Sequence, residues 1–309
     1  MPTPFRGKLR IRHFEIVLAI ADFGSLSKAA GKLHLTQSGL SRAITEIEEM
    51  VGGRLFERTG KGMVCTPLGD ALCRHSQVLL GDLDKAETDL AAIASGSLGS
   101  LTVGCFSLFS GWPLAGAVRA YQAMHPGVAL AIDVGTHNRL IEDLDAAKID
   151  LLVSRRAPTL NPDIYRFTDL LVDAVVLACA PAHPLASRAQ VALSDCIRFP
   201  WIAPPPKNRV RMELETRLRE WDSPFPVFIG ALSLEFAMEM IEDGHCLWLL
   251  PRSVAHMLAQ RRSLHTLPLQ LELSTPPLAA IWRRERTSTQ QIREFTSVLT
   301  SVIGAAPPP

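Results

Sequence analysis

Apolar positions near the N-terminus recur at helical spacing. Ile11, Phe14, Val17 and Leu18 mark a first helix over roughly Leu9 to Ala21. A second begins near Ser25 and turns Leu26, Ala29, Ala30 and Leu33 inward. A third starts at Gln37 behind Thr36, a good N-cap, and buries Leu40, Ile44 and Ile47 before Gly52-Gly53 stops it. From Arg54 to Thr66 the pattern shortens to two strands around Thr59-Gly-Lys-Gly62, a β-hairpin with glycine where the turn needs positive φ. Residues 67–95 then read as one long helix. Leu72, Leu79, Ala86 and Ile93 recur every seven positions, and Ser76, Leu83 and Leu90 form the offset series, giving an a/d seam with polar flanks. A helix of that length, roughly 42 Å, does not bury such a seam alone, so a homodimer is the simplest partner.

After the glycine- and serine-rich hinge 95–100 the period changes again. Short apolar strands at Leu101–Cys105, Val128–Val134 and Ile149–Ser154 alternate with helices at Pro113–Met124 and Asn138–Ala147. A second unit of the same kind runs from about Leu171 to Leu267. It has strands at Ala174–Ala180 and Cys246–Leu250 and helices at Lys207–Trp221 and Leu234–Glu242. Leu278–Arg283 is a strand returning to the first unit, followed by a helix from Thr287 to Ile303 and a disordered proline tail. Alternation of strand and helix implies mostly parallel sheets covered by helices.

The outward face of the third helix carries chemistry. Gln37, Ser38, Ser41, Arg42 and Thr45 offer amide, hydroxyl and guanidinium groups near the helix start, where base edges in a major groove are read. Ser27 and Lys28 on the second helix, with Arg58 and Lys61 on the hairpin, suit phosphate contacts. Charge distribution agrees. Residues 1–68 hold ten Lys and Arg against six Asp and Glu, net +4, and the remainder hold 22 against 25, net −3.

The order of an Ala-Ala helix, a Thr-Gln-Ser-Gly-Leu-Ser-Arg helix, a Leu-Phe-Glu-Arg hairpin and Thr-Pro-Leu-Gly resembles the winged helix-turn-helix of LysR-type transcriptional regulators. It covers about the first 70 residues. Many relatives carry proline and a small residue after the glutamine, where this chain has Ser38 and Gly39, so base preference does not transfer. The resemblance implies a three-part architecture: an all-α winged helix-turn-helix domain over 1–66, a linker and dimerisation helix over 67–95, and a two-lobed α/β effector domain, similar to periplasmic binding proteins, over 96–309. Lobe I takes about 100–168 and 270–303, lobe II about 169–269.

By the same resemblance a small molecule sits between the lobes at strand ends. Ser107, Thr136 and Arg155 come from lobe I, and Ile202, Pro204 and Leu232 from lobe II. Arg155 would hold a carboxylate through two parallel bonds, with the helix start near Pro113 adding positive potential. The implied partners are a double-stranded DNA operator, the effector, RNA polymerase and the chain itself as homodimer or homotetramer.

Catalytic and metal motifs are missing from the sequence. Ser25-Leu-Ser-Lys28 matches Ser-x-x-Lys without its companion motifs, and the nine histidines are scattered. No cofactor is expected. The six cysteines show no Cys-x-x-Cys pair and read as buried free thiols; nothing beside Cys179, Cys196 or Cys246 marks a reactive one. No apolar run is long enough to span a bilayer, and a cytoplasmic location is expected. A rival remains: a small-molecule-binding α/β protein or enzyme whose N-terminal helices serve protein contacts. It would leave no sequence-specific footprint on DNA.

Overall fold

In the N-terminal region, caps decide where each helix stops. Helix α1 (Ile11–Phe23) ends at Gly24, whose φ of 57° is left-handed. Helix α2 (Leu26–Lys32) turns into α3 (Gln37–Val51), where the Thr36 hydroxyl accepts from the Gly39 amide at 3.1 Å. Gly52, with φ 81°, terminates α3. The hairpin strands β1 (Phe56–Thr59) and β2 (Gly62–Cys65) pair antiparallel, Phe56 opposite Cys65. Glu48 holds the hairpin to α3, its carboxylate accepting from the amides of Leu55 at 2.7 Å and Phe56 at 3.3 Å. The Met63 amide donates to the Gly24 carbonyl at 2.8 Å, which ties β2 to the end of α1. Ile16, Ile20, Ala29, Leu40, Ile44, Ile47 and Leu55 fill one small core between these elements.

The computed structural model describes residues 7–60, 62–94, 96–262, 264–271, 273, 275–284 and 290–305. The chain divides into two compact units, 1–100 with 142–149, and 101–141 with 150–309. Lys61, the expected helix start at Thr287 and the tail 306–309 lie outside the described residues.

Helix α4 (Pro67–Ala94) completes the first unit's described elements. Its burial is one-sided: Gly69, Cys73, Ser76 and Gly81 are buried, whereas Leu79, Leu83, Leu90 and Ile93 are 51%, 47%, 68% and 59% exposed. The expected seam is thus split. Leu72 packs beside the N-terminal core and Ser76 is fully buried, and the apolar stripe from Leu79 onward stays exposed among the described residues. Gly69 is glycine for space, since a side chain there would collide with the Leu55 carbonyl. The hinge is shorter than the sequence suggests. Lys85 donates to the Ser100 hydroxyl at 2.6 Å, and that hydroxyl donates to Asp89 at 2.6 Å, so residue 100 is held against α4.

The second unit carries two five-stranded sheets among its described residues. Strand β3 (Ser100–Phe106) leads into a 3-10 turn at Ser107–Phe109, an irregular turn through Ser110–Leu114, and α5 (Ala115–Met124). Then come β4 (Ala129–Gly135), α6 (His137–Asp145), β5 (Leu151–Arg155) and β6 (Tyr165–Leu171). The second sheet is built from β7 (Val175–Cys179), α7 (Leu193–Cys196), β8 (Trp201–Ala203), α8 (Arg209–Glu220), β9 (Phe228–Gly230), α9 (Leu234–Ile241), β10 (Leu247–Pro251), α10 (Arg252–Arg262) and β11 (His265–Thr266). Strand β12 (Leu278–Arg283) returns to the first sheet and α11 (Gln290–Gly304) closes the chain's described part.

The strand orders are β4-β3-β5-β12-β6 and β11-β7-β10-β8-β9. Both sheets are mixed: β3 and β5 run parallel, as do β10, β8 and β9, while β12 is antiparallel to β5 and β6 and β10 is antiparallel to β7. Strand β6 continues to Leu171 in the first sheet, beyond the division expected after residue 168. Alternation along β7 and β10 feeds two cores. Val175, Leu177, Leu247 and Leu249 face one cluster, and Val176, Ala178, Trp248 and Leu250 the other.

Candidate functional site

The outward side of α3 has the geometry expected of a reading helix. Gln37, Ser38, Ser41, Arg42 and Thr45 are all exposed, while Leu40, Ile44 and Ile47 anchor the opposite side. Ser38 lies 3.3 Å from the Thr36 hydroxyl, which is already engaged as the cap. The Thr45 hydroxyl donates to the Ser41 carbonyl at 3.0 Å, so toward a base it is left mainly as an acceptor. Ser27 and Lys28 on α2 and Arg58 on β1 are exposed beside this face. His34, in the turn between α2 and α3, takes a left-handed φ of 56°.

The candidate effector site forms where parallel strands end together. Cys105 is paired with Val153, so the ends of β3 and β5 bring Phe106 and, one residue beyond its level, Arg155 to the site; Pro204 follows β8 and Pro251 ends β10 in the second sheet. These residues, with Leu108, Leu232, Asn208 and Val210, line a cavity of about 60 Å³. The space is roughly four times what one water needs. Its walls are mostly apolar.

Of the residues expected there, Arg155, Pro204 and Leu232 line the cavity. The Ser107 hydroxyl, at the start of the 3-10 turn, donates to the Leu232 carbonyl at 3.4 Å, beside the cavity. Thr136 is exposed after β4 and Ile202 is fully buried in the core, so the structure brings neither to the lining. The physical reason for Ile202 is strand alternation: it is the middle residue of β8, and its side chain joins the core cluster behind the strand end. The helix start expected near Pro113 falls at Ala115. Trp112, ahead of a proline, adopts extended angles (φ −140°, ψ 135°) that interrupt the helix.

Arg155 differs most from expectation. Its Nη1 is already spent, donating to the Thr275 hydroxyl at 2.9 Å and the Pro276 carbonyl at 2.8 Å. Its Nη2 stands 4.0 Å from the Asp173 carboxylate and is buried without a hydrogen-bond partner among the described residues. The fork is therefore not free to hold a carboxylate with two parallel bonds. Burial lowers the Arg155 pKa, with Asp173 opposing; burial likewise raises that of Asp173, against the Ser253 hydroxyl at 2.5 Å and Arg155.

Asn208 was not foreseen. Its side-chain oxygen caps α8, accepting from Val210 N at 2.9 Å, and its amide NH2 is left as a donor at the cavity. The sequence carries the asparagine as the second residue of the helix expected from Lys207, whereas the helix starts at Arg209 and leaves Asn208 as its cap. His137 sits behind the site, 3.0 Å from the Ser154 hydroxyl, and burial lowers its pKa. Among the described residues no group of three or more His, Cys, Asp or Glu is placed to hold a metal ion, and no helix is long and apolar enough to cross a membrane.

Comparison with known proteins places the family and the fold. The family model for the bacterial regulatory helix-turn-helix protein, lysR family, matches residues 11–70, and that for the LysR substrate binding domain matches residues 94–303. The HTH-type transcriptional regulator CfxR of Cupriavidus necator is 28% identical over 306 residues, 94% of this chain and 89% of the relative. GbpR of Azospirillum brasilense is 22% identical over 296 residues, 95% and 86% of the two chains. The solved structure of CbnR, a LysR family transcriptional regulator, shares the fold with a TM-score of 0.62 at 19% identity, over 96% of this chain and 99% of that one. CbnR is also known as a full-length complex with its target DNA, with the same TM-score of 0.62. The chain belongs to the LysR family: it is a DNA-binding transcriptional regulator, not an enzyme, with an N-terminal helix-turn-helix and a C-terminal effector-binding domain.

Proposed function

We propose that this regulator reads its operator through Gln37, Ser38, Ser41 and Arg42, and that its effector is a small carboxylate held in the cavity at Arg155. Ser27, Lys28, Arg58 and Lys61 hold the DNA backbone, and the Thr36 cap sets the start of the reading helix. The observation that carries the effector reading is Arg155, which lines the cavity and whose buried Nη2 has no hydrogen-bond partner among the described residues, with the Asp173 carboxylate 4.0 Å away. A buried donor left unmade costs about 1–3 kcal/mol, which an incoming carboxylate oxygen recovers. The Asn208 amide supplies a second donor, and Phe106, Leu108, Pro204 and Leu232 exclude water around the ligand's apolar part. One oxygen on Arg155 and one on Asn208 replaces the two-bond grip on arginine alone.

The exposed stripe Leu79, Leu83, Leu90 and Ile93 supports a homodimer through α4. Edge strands with exposed apolar residues, Ile132 and Val134 on β4 and the nearby Val227 ahead of β9, support a further self-contact and hence a homotetramer. We place the protein in the cytoplasm, acting on transcription by contact with RNA polymerase.

Thermal unfolding of the full-length protein across matched carboxylates, their amides and neutral sugars tests the effector class. Stabilisation by a carboxylate and not by its amide is the expected result. Stabilisation by neutral sugars or amines instead would exclude an anion site, leaving the family assignment untouched.

A further inference from the structure

The wing and the long helix bring two thiols together. Cys65 ends β2 and is half-buried; Cys73 lies in the second turn of α4 and is 9% exposed. Their Sγ atoms are 4.0 Å apart, in van der Waals contact. Thr66 fixes the corner between them: its hydroxyl accepts from the Gly69 amide at 3.0 Å and donates to the Arg54 carbonyl at 2.7 Å. Gly69 lets α4 approach Leu55 closely, so strand end and helix start are held as one corner. A disulfide would require this contact to close to about 2.05 Å. Neither thiol has a part in base reading or effector binding.

We propose that Cys65 and Cys73 are a redox-active dithiol, which a peroxide converts into an intramolecular disulfide tying the wing to α4. The more accessible Cys65 attacks as thiolate, breaking the peroxide O–O bond, forming a sulfenic acid and releasing one water after protonation. Cys73 sulfur then attacks the sulfenic sulfur, the S–O bond breaks, and the Cys73 proton leaves with the second water. Two thiols lose two electrons and two protons; one hydrogen peroxide becomes two waters. A low-molecular-weight thiol reverses the bond by exchange.

The surroundings set the speed. Burial raises both thiols, Cys73 up to about 12, and the carboxylates of Asp70 on α4 and Asp22 on α1 push the same way. The pair stays protonated at neutral pH and answers sustained oxidant exposure, and its reaction speeds up about tenfold per pH unit below the Cys65 pKa.

Full-length protein is exposed to hydrogen peroxide at pH 7, 8 and 9, its remaining thiols are alkylated, and the digest is mapped by mass spectrometry. The expected product is a linked Cys65–Cys73 peptide pair with the mass loss of two hydrogens, reversed by dithiothreitol and formed faster at higher pH. In the oxidised protein, amide exchange at Met63 and Val64 slows at least tenfold. Cys65→Ser abolishes the link; should that variant fail to fold, the wild-type map alone decides. Sulfinic acid on Cys65 with Cys73 still free, a disulfide between two chains, or two free thiols after exposure at pH 9 would each overturn the proposal.

Discussion

Arg155 donates from Nη1 to the Thr275 hydroxyl at 2.9 Å, joining residues 120 positions apart. The Thr275 hydroxyl in turn donates a hydrogen bond to the Asp173 carbonyl at 2.7 Å. The chain leaves the first sheet through Asp173 and returns through Thr275, so one guanidinium stands at both crossings on a residue that also lines the cavity. A ligand on that nitrogen shifts the lobes only by binding one of their arrangements better than another.

Replacing Arg155 with Ala should abolish the effector response in a reporter assay and leave operator affinity within twofold. The variant should also lose about 1–3 kcal/mol of stability in denaturant titration, because Thr275 and Pro276 lose their donor and Asp173 its neighbouring cation. A retained effector response with lowered stability would assign Arg155 to the hinge alone.

The Asp173 carboxyl provides a pH test. Its native pKa is raised from 3.8 by burial, so the folded state binds this proton more readily than the unfolded one. Its contribution is full below 3.8 and is lost as pH rises through the raised native value. The stability difference between wild type and Asp173→Asn should therefore fall as pH increases from about 4, then level off. A difference that grows with pH would mean that Arg155 and Ser253 outweigh burial.

Arg42→Ala should cost about 1–3 kcal/mol in operator binding and relax preference at one base pair. Arg58→Ala should weaken all duplex sequences alike and lower the salt slope by about one counterion. Titrations of operator and scrambled duplexes at several salt concentrations separate the two. Equal losses on both duplexes for Arg42→Ala would make it a backbone contact.

Charge in the exposed stripe of α4 should split the dimer. Leu79→Glu with Leu83→Glu places like charges face to face where the single chain exposes 51% and 47% of these residues. Analytical ultracentrifugation should show a smaller species whose circular dichroism is unchanged. An unchanged sedimentation coefficient would move the interface elsewhere.

Gly69→Ala should destabilise the N-terminal domain by about 1–3 kcal/mol, since a methyl group there meets the Leu55 carbonyl and the strand must shift. Thermal unfolding followed by near-ultraviolet signal measures it; a neutral result would mean that the corner at Thr66 yields easily.

Local elements were legible in the chain because their causes are local. Thr36 caps α3 as a β-hydroxyl must, Gly52 stops it by adopting φ 81°, and Leu40, Ile44 and Ile47 turn inward by helical period. Leu278–Arg283 is recognisable as a strand because it is apolar from Leu278 to Trp282, as suits a strand buried in its sheet. Other strands escaped notice: β8 and β9 span Trp201–Ala203 and Phe228–Gly230, too short for period to declare them, and exist because parallel neighbours complete their hydrogen bonds.

By itself the sequence determined the helix pair, the hairpin, the long helix after it, the alternation of strand and helix and the family, since each rests on the spacing of neighbours along the chain. Only the tertiary structure decided how the charged and reactive groups are used. Arg155 is committed to Thr275 and Pro276 and Asn208 reaches the cavity, whereas Ile202 turns into the core. Cys65 meets Cys73 across a corner. Burial and hydrogen-bond partners are set by segments far apart in the chain or by the angle of a turn, and spacing carries neither.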